Sequence, residues 1–305
     1  MNDSVVLAVN DLTKLYQSAP AIDAVSFSVT KGEVVGFVGL NGAGKSTTIN
    51  IILGFLRASR GSVEIFGQAI VPQNAHRTHH KIGFASGEMG LFANLTGKQY
   101  LAFVLRRYGL KNKQRLHELV TRFEPELDKK INNLSRGNKQ KIALVAAFMS
   151  SPELVILDEP SSGLDPLMQQ LFIELVQEET ARGTTIFMSS HYLNEVIDVC
   201  SRVLLIRDGK LIKDMPATQL MSRGGKLVRI VSRHLVKPPN AAELVVQKQL
   251  PSGYELSFTY KADPAKLQMW LGGVPHLIDV TIAEHALEAA FEELYALETS
   301  QELHV

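Results

Sequence analysis

The sequence predicts an α/β chain in which a parallel, phosphate-binding core follows an antiparallel strand layer, is interrupted by a helical insertion and precedes a small α+β domain. Three observations carry this. Gly39-Leu40-Asn41-Gly42-Ala43-Gly44-Lys45-Ser46 fits G-x-x-x-x-G-K-S directly after the apolar run Glu33-Val34-Val35-Gly36-Phe37-Val38, which reads as a buried strand entering a helix. Short apolar runs then alternate with stretches of helical periodicity, as in a parallel sheet covered on both faces. Beyond Met215-Pro216 the pattern changes to short strands with a few helical turns.

In chain order, Val5 to Val9 and Val25 to Val29 are short apolar stretches bounded by turn residues, and they predict the antiparallel layer. Ser46 to Leu56 is the helix after the phosphate loop, and Ser62 to Gly67 is a further strand. Gly97 to Phe123 is helical in pattern, with Tyr100, Leu101, Val104 and Leu105 at helical spacing, until Pro125 breaks it. Leu134 to Met149 predicts a helix, Leu154 to Leu157 a buried strand, Pro166 to Thr180 a helix and Thr184 to Met188 another buried strand. In the tail, Leu227 to Val231, Glu243 to Val246 and Tyr254 to Phe258 read as strands and Pro264 to Leu271 as a helix. His285 to Tyr295 predicts an amphipathic helix, with Leu287, Phe291 and Leu294 on one face. The expected division is a main domain over 1–220, with its helical subdomain at about 88–150, and an accessory domain over 221–305.

Composition limits the partners. Thirty-two Lys and Arg against 31 Asp and Glu leave a net charge of +1, no electrostatic case for nucleic acid. No uncharged apolar run approaches the ~18–20 residues that cross a bilayer, and the first residues lack the basic start of a secretory signal, so a cytosolic chain is expected. The single Cys200 has no internal partner for a disulfide and reads as a small buried hydrophobe. His76, His79 and His80 read as a solvated face rather than a metal site, and Arg106, Arg107, Lys111, Lys113 and Arg115 as a solvated helical surface.

Each candidate for chemistry has a physical reason. A glycine-rich turn lets successive N–H groups and a helix N-terminus point at phosphate oxygens, Lys45 then pairs with the β- and γ-phosphates, and the Ser46 hydroxyl reaches Mg²⁺. Leu154-Val155-Ile156-Leu157-Asp158-Glu159-Pro160 sets two carboxylates at the end of an apolar strand. Asp158 is placed to hold Mg²⁺, and Glu159 to orient or deprotonate the attacking water.

With these motifs the chain resembles the ATP-binding subunit of an ABC transporter, a P-loop NTPase of ABC type. The resemblance covers Leu7 to about Asp214. It implies nucleotide contacts from Gly39 through Thr47 (Gly39, Leu40, Asn41, Gly42, Ala43, Gly44, Lys45, Ser46, Thr47), and stacking of adenine on Tyr16. Leu134-Ser135-Arg136-Gly137-Asn138-Lys139-Gln140 stands where the family has L-S-G-G-Q; Arg136 and Asn138 depart from that pattern. The resemblance makes Ser135 and Gly137 contacts to the γ-phosphate of an ATP held by a second copy, in a head-to-tail homodimer. Ser161-Ser162-Gly163-Leu164-Asp165 resembles the D-loop, with Asp165 communicating between the two sites, and His191 resembles the histidine that senses the γ-phosphate. Gly87 occupies the place of the family's Q-loop glutamine, leaving Glu88 as the nearest side chain able to reach the metal.

The same resemblance implies an ATPase that uses ATP and Mg²⁺ and is held on the inner face of the membrane by a separate transmembrane permease. Gly90-Leu91-Phe92, Leu95-Thr96 and Leu287-Glu288-Ala289-Ala290-Phe291 resemble the ABC-2-type exporters, which points to export. The alternative is a non-transport ABC ATPase acting on ribosomes or nucleic acid. Those relatives generally carry two cassettes, coiled-coil insertions or zinc clusters, and none is visible here.

Overall fold

Two twelve-residue strands, β1 (Val5–Tyr16) and β2 (Ala19–Thr30), form an antiparallel ladder with several register shifts. Alternation in β2 sends Val25, Phe27 and Val29 inward, and the register shift between Ile22 and Val25 lets Ile22 be buried as well. β3 (Val34–Val38), buried at all five positions, leads through the phosphate loop into α1 (Lys45–Ile52), four residues shorter than the expected end at Leu56. β4 (Arg60–Ile65) and β5 (Gln68–Ala69) complete a four-stranded sheet in the order β2-β1-β4-β5. This computed structural model describes residues 4–17, 19–87, 91–109, 113–190 and 193–284.

After β6 (Ile82–Ser86) come α2 (Gly97–Arg107), started by a Thr96–Gln99 capping box, and α3 (Gln114–Phe123). The single helical stretch expected from Gly97 to Phe123 is therefore two helices, with α2 ending before the Tyr108-Gly109 turn. α4 (Arg136–Phe148) packs against β6, and its positions 142–148 are all buried. Arg115 is not the solvated surface residue expected: its guanidinium lies 2.5 Å from Glu179 Oε1, and Arg122 makes a two-pronged pair with Glu178. Both pairs tie α3 to α5 (Pro166–Ala181), with the Glu179 carboxylate only 1% exposed.

β7 (Leu154–Asp158) and β8 (Thr185–Ser190) are buried throughout. α6 (Leu193–Val199), β9 (Arg202–Arg207) and β10 (Lys210–Pro216) follow, the last two joined by the two-residue turn Asp208-Gly209, a hairpin signal the sequence reading passed over. The central sheet has the order β10-β9-β3-β8-β7-β6, and the β9-β3, β3-β8, β8-β7 and β7-β6 pairings are parallel. Phe27 stacks on Phe187 at 5.4 Å, and Phe37 lies 5.5 Å from Phe187, so one aromatic cluster joins the antiparallel layer to the parallel sheet. Cys200 is buried, and burial pushes its thiol well above the usual range.

The chain divides into two compact units, 1–215 and 216–305. The second contains α7 (Ala217–Gly224), β11 (Lys226–Ser232), β12 (Ala242–Leu250), β13 (Gly253–Tyr260), α8 (Pro264–Gly272) and β14 (Leu277–Glu284). Its antiparallel sheet runs β12-β13-β11-β14. Leu267, Trp270 and Leu271 of α8 cover Val228, Ile230, Leu256 and Phe258. β14 was not expected, although Val280 and Ile282 alternate with Asp279 and Thr281. The amphipathic helix expected over 285–295 lies outside the described residues.

Candidate active site

The phosphate loop is curled by sequence and held by packing. Gly44 begins α1 at φ +106°, and a Cβ there would sit 2.7 Å from the Ala21 carbonyl oxygen, so only glycine meets both conditions. Lys45, 5% exposed, turns its ammonium back into the loop: Nζ donates to the carbonyls of Gly39 (2.7 Å) and Leu40 (3.1 Å) and stands 3.7 Å from Glu159 Oε1. Burial holds the Lys45 pKa below the ordinary lysine value, and the carboxylates of Glu159 and Asp158 oppose that shift. Ser46 is exposed and Thr47 half-buried in the first turn of α1, while the Thr48 hydroxyl donates to the Gly44 carbonyl at 2.9 Å.

Parallel pairing of β7 with β8 sets Asp158 opposite Ser189. The Ser189 hydroxyl donates to Asp158 Oδ1 at 2.5 Å, which orients a carboxylate that is itself buried. Glu159 leaves the strand at φ +51°, a left-handed backbone that a non-glycine residue keeps only when its surroundings fix it. Its N–H donates to the Ser189 carbonyl (3.1 Å) and hydroxyl (3.2 Å), and its carbonyl accepts the Ser162 N–H at 3.1 Å. The Glu159 side chain is 27% exposed, open to water from one side.

Ser135 caps α4, its hydroxyl accepting the Asn138 N–H at 3.2 Å. The start of α4 is pressed onto the turn after Glu159. Arg136 Nη2 donates to Ser162 Oγ at 2.6 Å, Gln140 Nε2 to the Pro160 carbonyl at 2.7 Å, and a Cβ on Gly137 would lie 2.6 Å from the Gly163 carbonyl oxygen. Asp165 caps α5 by accepting the Met168 N–H at 3.0 Å. Tyr16 ends β1 half exposed, with Lys14 Nζ 5.3 Å from its ring centroid. Glu88 and His191 lie outside the described residues. Next to the first, the Gly87 N–H donates to the Asp158 carbonyl at 2.9 Å. Of the three histidines in the 76–80 stretch, His76 and His80 are exposed, and His79 Nε2 is 2.9 Å from the Leu53 carbonyl oxygen.

Sequence reading placed Gln140 in the signature stretch and Ser161 in the D-loop without giving either a role, and it missed Ser189, Ser190 and Glu195. Their signal was present as polar residues in apolar surroundings: two serines end the buried strand Thr185–Ser190, and Gln140 begins an otherwise apolar buried helix face.

The donor set fits a magnesium nucleotide. Loop amides and an ammonium suit phosphate oxygens, and a hydroxyl with a buried carboxylate is the hard-oxygen pair that Mg²⁺ takes alongside phosphate and water. Residues 22–162 match the ABC transporter family model. The bacitracin transport ATP-binding protein of Bacillus licheniformis is 31% identical over 305 residues, covering 95% of this chain and 97% of that protein. The SkfA peptide export ATP-binding protein of Bacillus subtilis is 34% identical over 221 residues, covering 70% of this chain and 90% of that protein. A solved ATP-binding cassette, dimeric in a post-hydrolysis state with ADP and phosphate bound, shares the fold with a TM-score of 0.62 at 23% identity over 69% of this chain and 98% of its own. The chain belongs to the ABC transporter family and is one of its ATP-binding, ATP-hydrolysing subunits.

Proposed function

We propose that this chain binds Mg²⁺-ATP between two copies of itself and drives export through a separate membrane-spanning permease, to which it docks on the cytoplasmic face. The observation that carries the reading is the junction of Lys45 with Glu159 at 3.7 Å, which joins the phosphate loop to the strand-end carboxylates. Lys45 and the amides of residues 39–47 take the phosphate charge, and Ser46 and Asp158 hold the metal. Held there, a Mg²⁺ ion would supply neutralisation of the phosphate charge. Glu159 orients water and receives its proton as the oxygen attacks the γ-phosphorus and the bond to ADP breaks. Catalysis is then chiefly positioning and charge stabilisation.

Tyr16 supplies a π-face for adenine, and its exposure at the end of β1 suits a stacking role. Ser135 and Gly137 serve the nucleotide of the second copy, Asp165 links the two sites, His191 senses the γ-phosphate and Glu88 stands in for the Q-loop glutamine. Export is favoured over an ATPase working on ribosomes or nucleic acid because the Bacillus licheniformis and Bacillus subtilis relatives carry transport or export in their names. Glu159→Gln tests the reading. It should retain ATP binding, lose turnover and accumulate an ATP-bound dimer visible by light scattering; turnover near the wild-type rate would remove Glu159 from the mechanism. Copurification with a membrane protein of about six spans tests the permease half.

A further inference from the structure

Glu195, in the first turn of α6, is a carboxylic acid with no part in the hydrolytic mechanism, and it is only 8% exposed. One of its oxygens, Oε2, accepts two hydrogen bonds, from Ser161 Oγ at 2.9 Å and from Ser190 Oγ at 2.9 Å. The other, Oε1, is buried without a hydrogen-bond partner among the described residues. A buried unsatisfied carboxyl oxygen is costly and rare, and in a native protein it calls for a reason.

The two serines supply one. Ser161 lies two residues beyond Glu159, inside the turn closed by the Ser162 N–H on the Glu159 carbonyl. Ser190 follows Ser189, whose hydroxyl and carbonyl hold Asp158 and the Glu159 N–H. Glu195 thus clamps together the two chain segments that carry and orient the reacting carboxylates. Glu159 needs such a clamp, because its left-handed backbone at φ +51° relaxes unless several contacts fix it at once. We propose that Glu195 is a positioning residue of the hydrolytic centre: by tying Ser161 to Ser190 through one carboxyl oxygen, it fixes where Glu159 and Asp158 point.

The surroundings make the clamp tolerable in charge. Burial first, with a smaller push from the carboxylates of Glu159 and Asp198, lifts the Glu195 pKa to about 7 against the opposing hydrogen bonds from Ser190 and Ser161, so its charge is held less firmly than an ordinary glutamate's. The Cys200 thiol also feels Glu195. A leucine of similar bulk would leave both serine hydroxyls without their acceptor, whereas glutamine keeps a carbonyl oxygen where Oε2 stands.

The inference rests on the role given to Glu159, and steady-state ATP hydrolysis by the purified full chain tests the two separately. Glu195→Leu should lower kcat about tenfold or more while the dissociation constant for a fluorescent ATP analogue stays within about twofold, and Glu195→Gln should recover kcat to within about threefold of wild type. Should Glu195→Leu not fold, Ser161→Ala and Ser190→Ala each remove one arm of the clamp and should each lower kcat several-fold, roughly, with analogue affinity unchanged. A folded Glu195→Leu with wild-type kcat overturns the proposal, as do both serine variants at wild-type kcat, or a glutamine variant no better than leucine. Normal turnover in Glu159→Gln would instead overturn the underlying assignment.

Discussion

Replacing Glu195 by glutamine should alter how stability depends on pH, and the structure sets the size. Its carboxyl is lifted from an ordinary 4.5 to about 7, chiefly by burial. A folded state with the higher pKa binds the proton more tightly than the unfolded chain, so this group's contribution is fully present below pH 4.5 and is lost as pH rises through 7. At 1.36 kcal/mol per unit the whole span is worth roughly 3 kcal/mol, most of which falls between pH 5 and pH 8. Glutamine does not titrate. The stability of Glu195→Gln relative to wild type should therefore rise by roughly 2–3 kcal/mol from pH 5 to pH 8. Urea unfolding of the full chain followed by circular dichroism measures this. A difference between variant and wild type that is constant across pH, within about 0.5 kcal/mol, would refute the reasoning.

Lys45→Ala removes the ammonium buried in the phosphate loop and should weaken ATP binding by at least about tenfold in calorimetry, the loss expected for a charge-assisted contact; unchanged affinity would remove this loop from the site. Gly137→Ala places a methyl 2.6 Å from the Gly163 carbonyl oxygen, so α4 or the 161–164 turn must move. It should cost about 1–3 kcal/mol in denaturant unfolding and lower turnover more than it weakens ATP binding. Ending the chain after Arg223 should leave ATP affinity within about twofold of wild type, since all the nucleotide motifs precede it; a folded truncation without ATP binding would place the domain boundary elsewhere.

Sequence alone determined the parts of the site that are contiguous. The phosphate loop, the Asp158-Glu159 pair at the end of an apolar strand and the Ser135 cap were legible because each is a local event: a turn, a strand end, a helix start. Tertiary structure decided which distant groups hold them. Parallel pairing brings Ser189 to Asp158 across 31 positions, the fold of α6 under β8 delivers Glu195 to Ser161 across 34, and Arg115 reaches Glu179 across 64. Such partners follow from sheet order and register, which the long-range burial of apolar strands sets and no short window of residues encodes. The same distinction explains Gly137. Its sequence position marked it as a helix start, but only the packing of α4 on the 161–164 turn shows that no side chain fits there without movement.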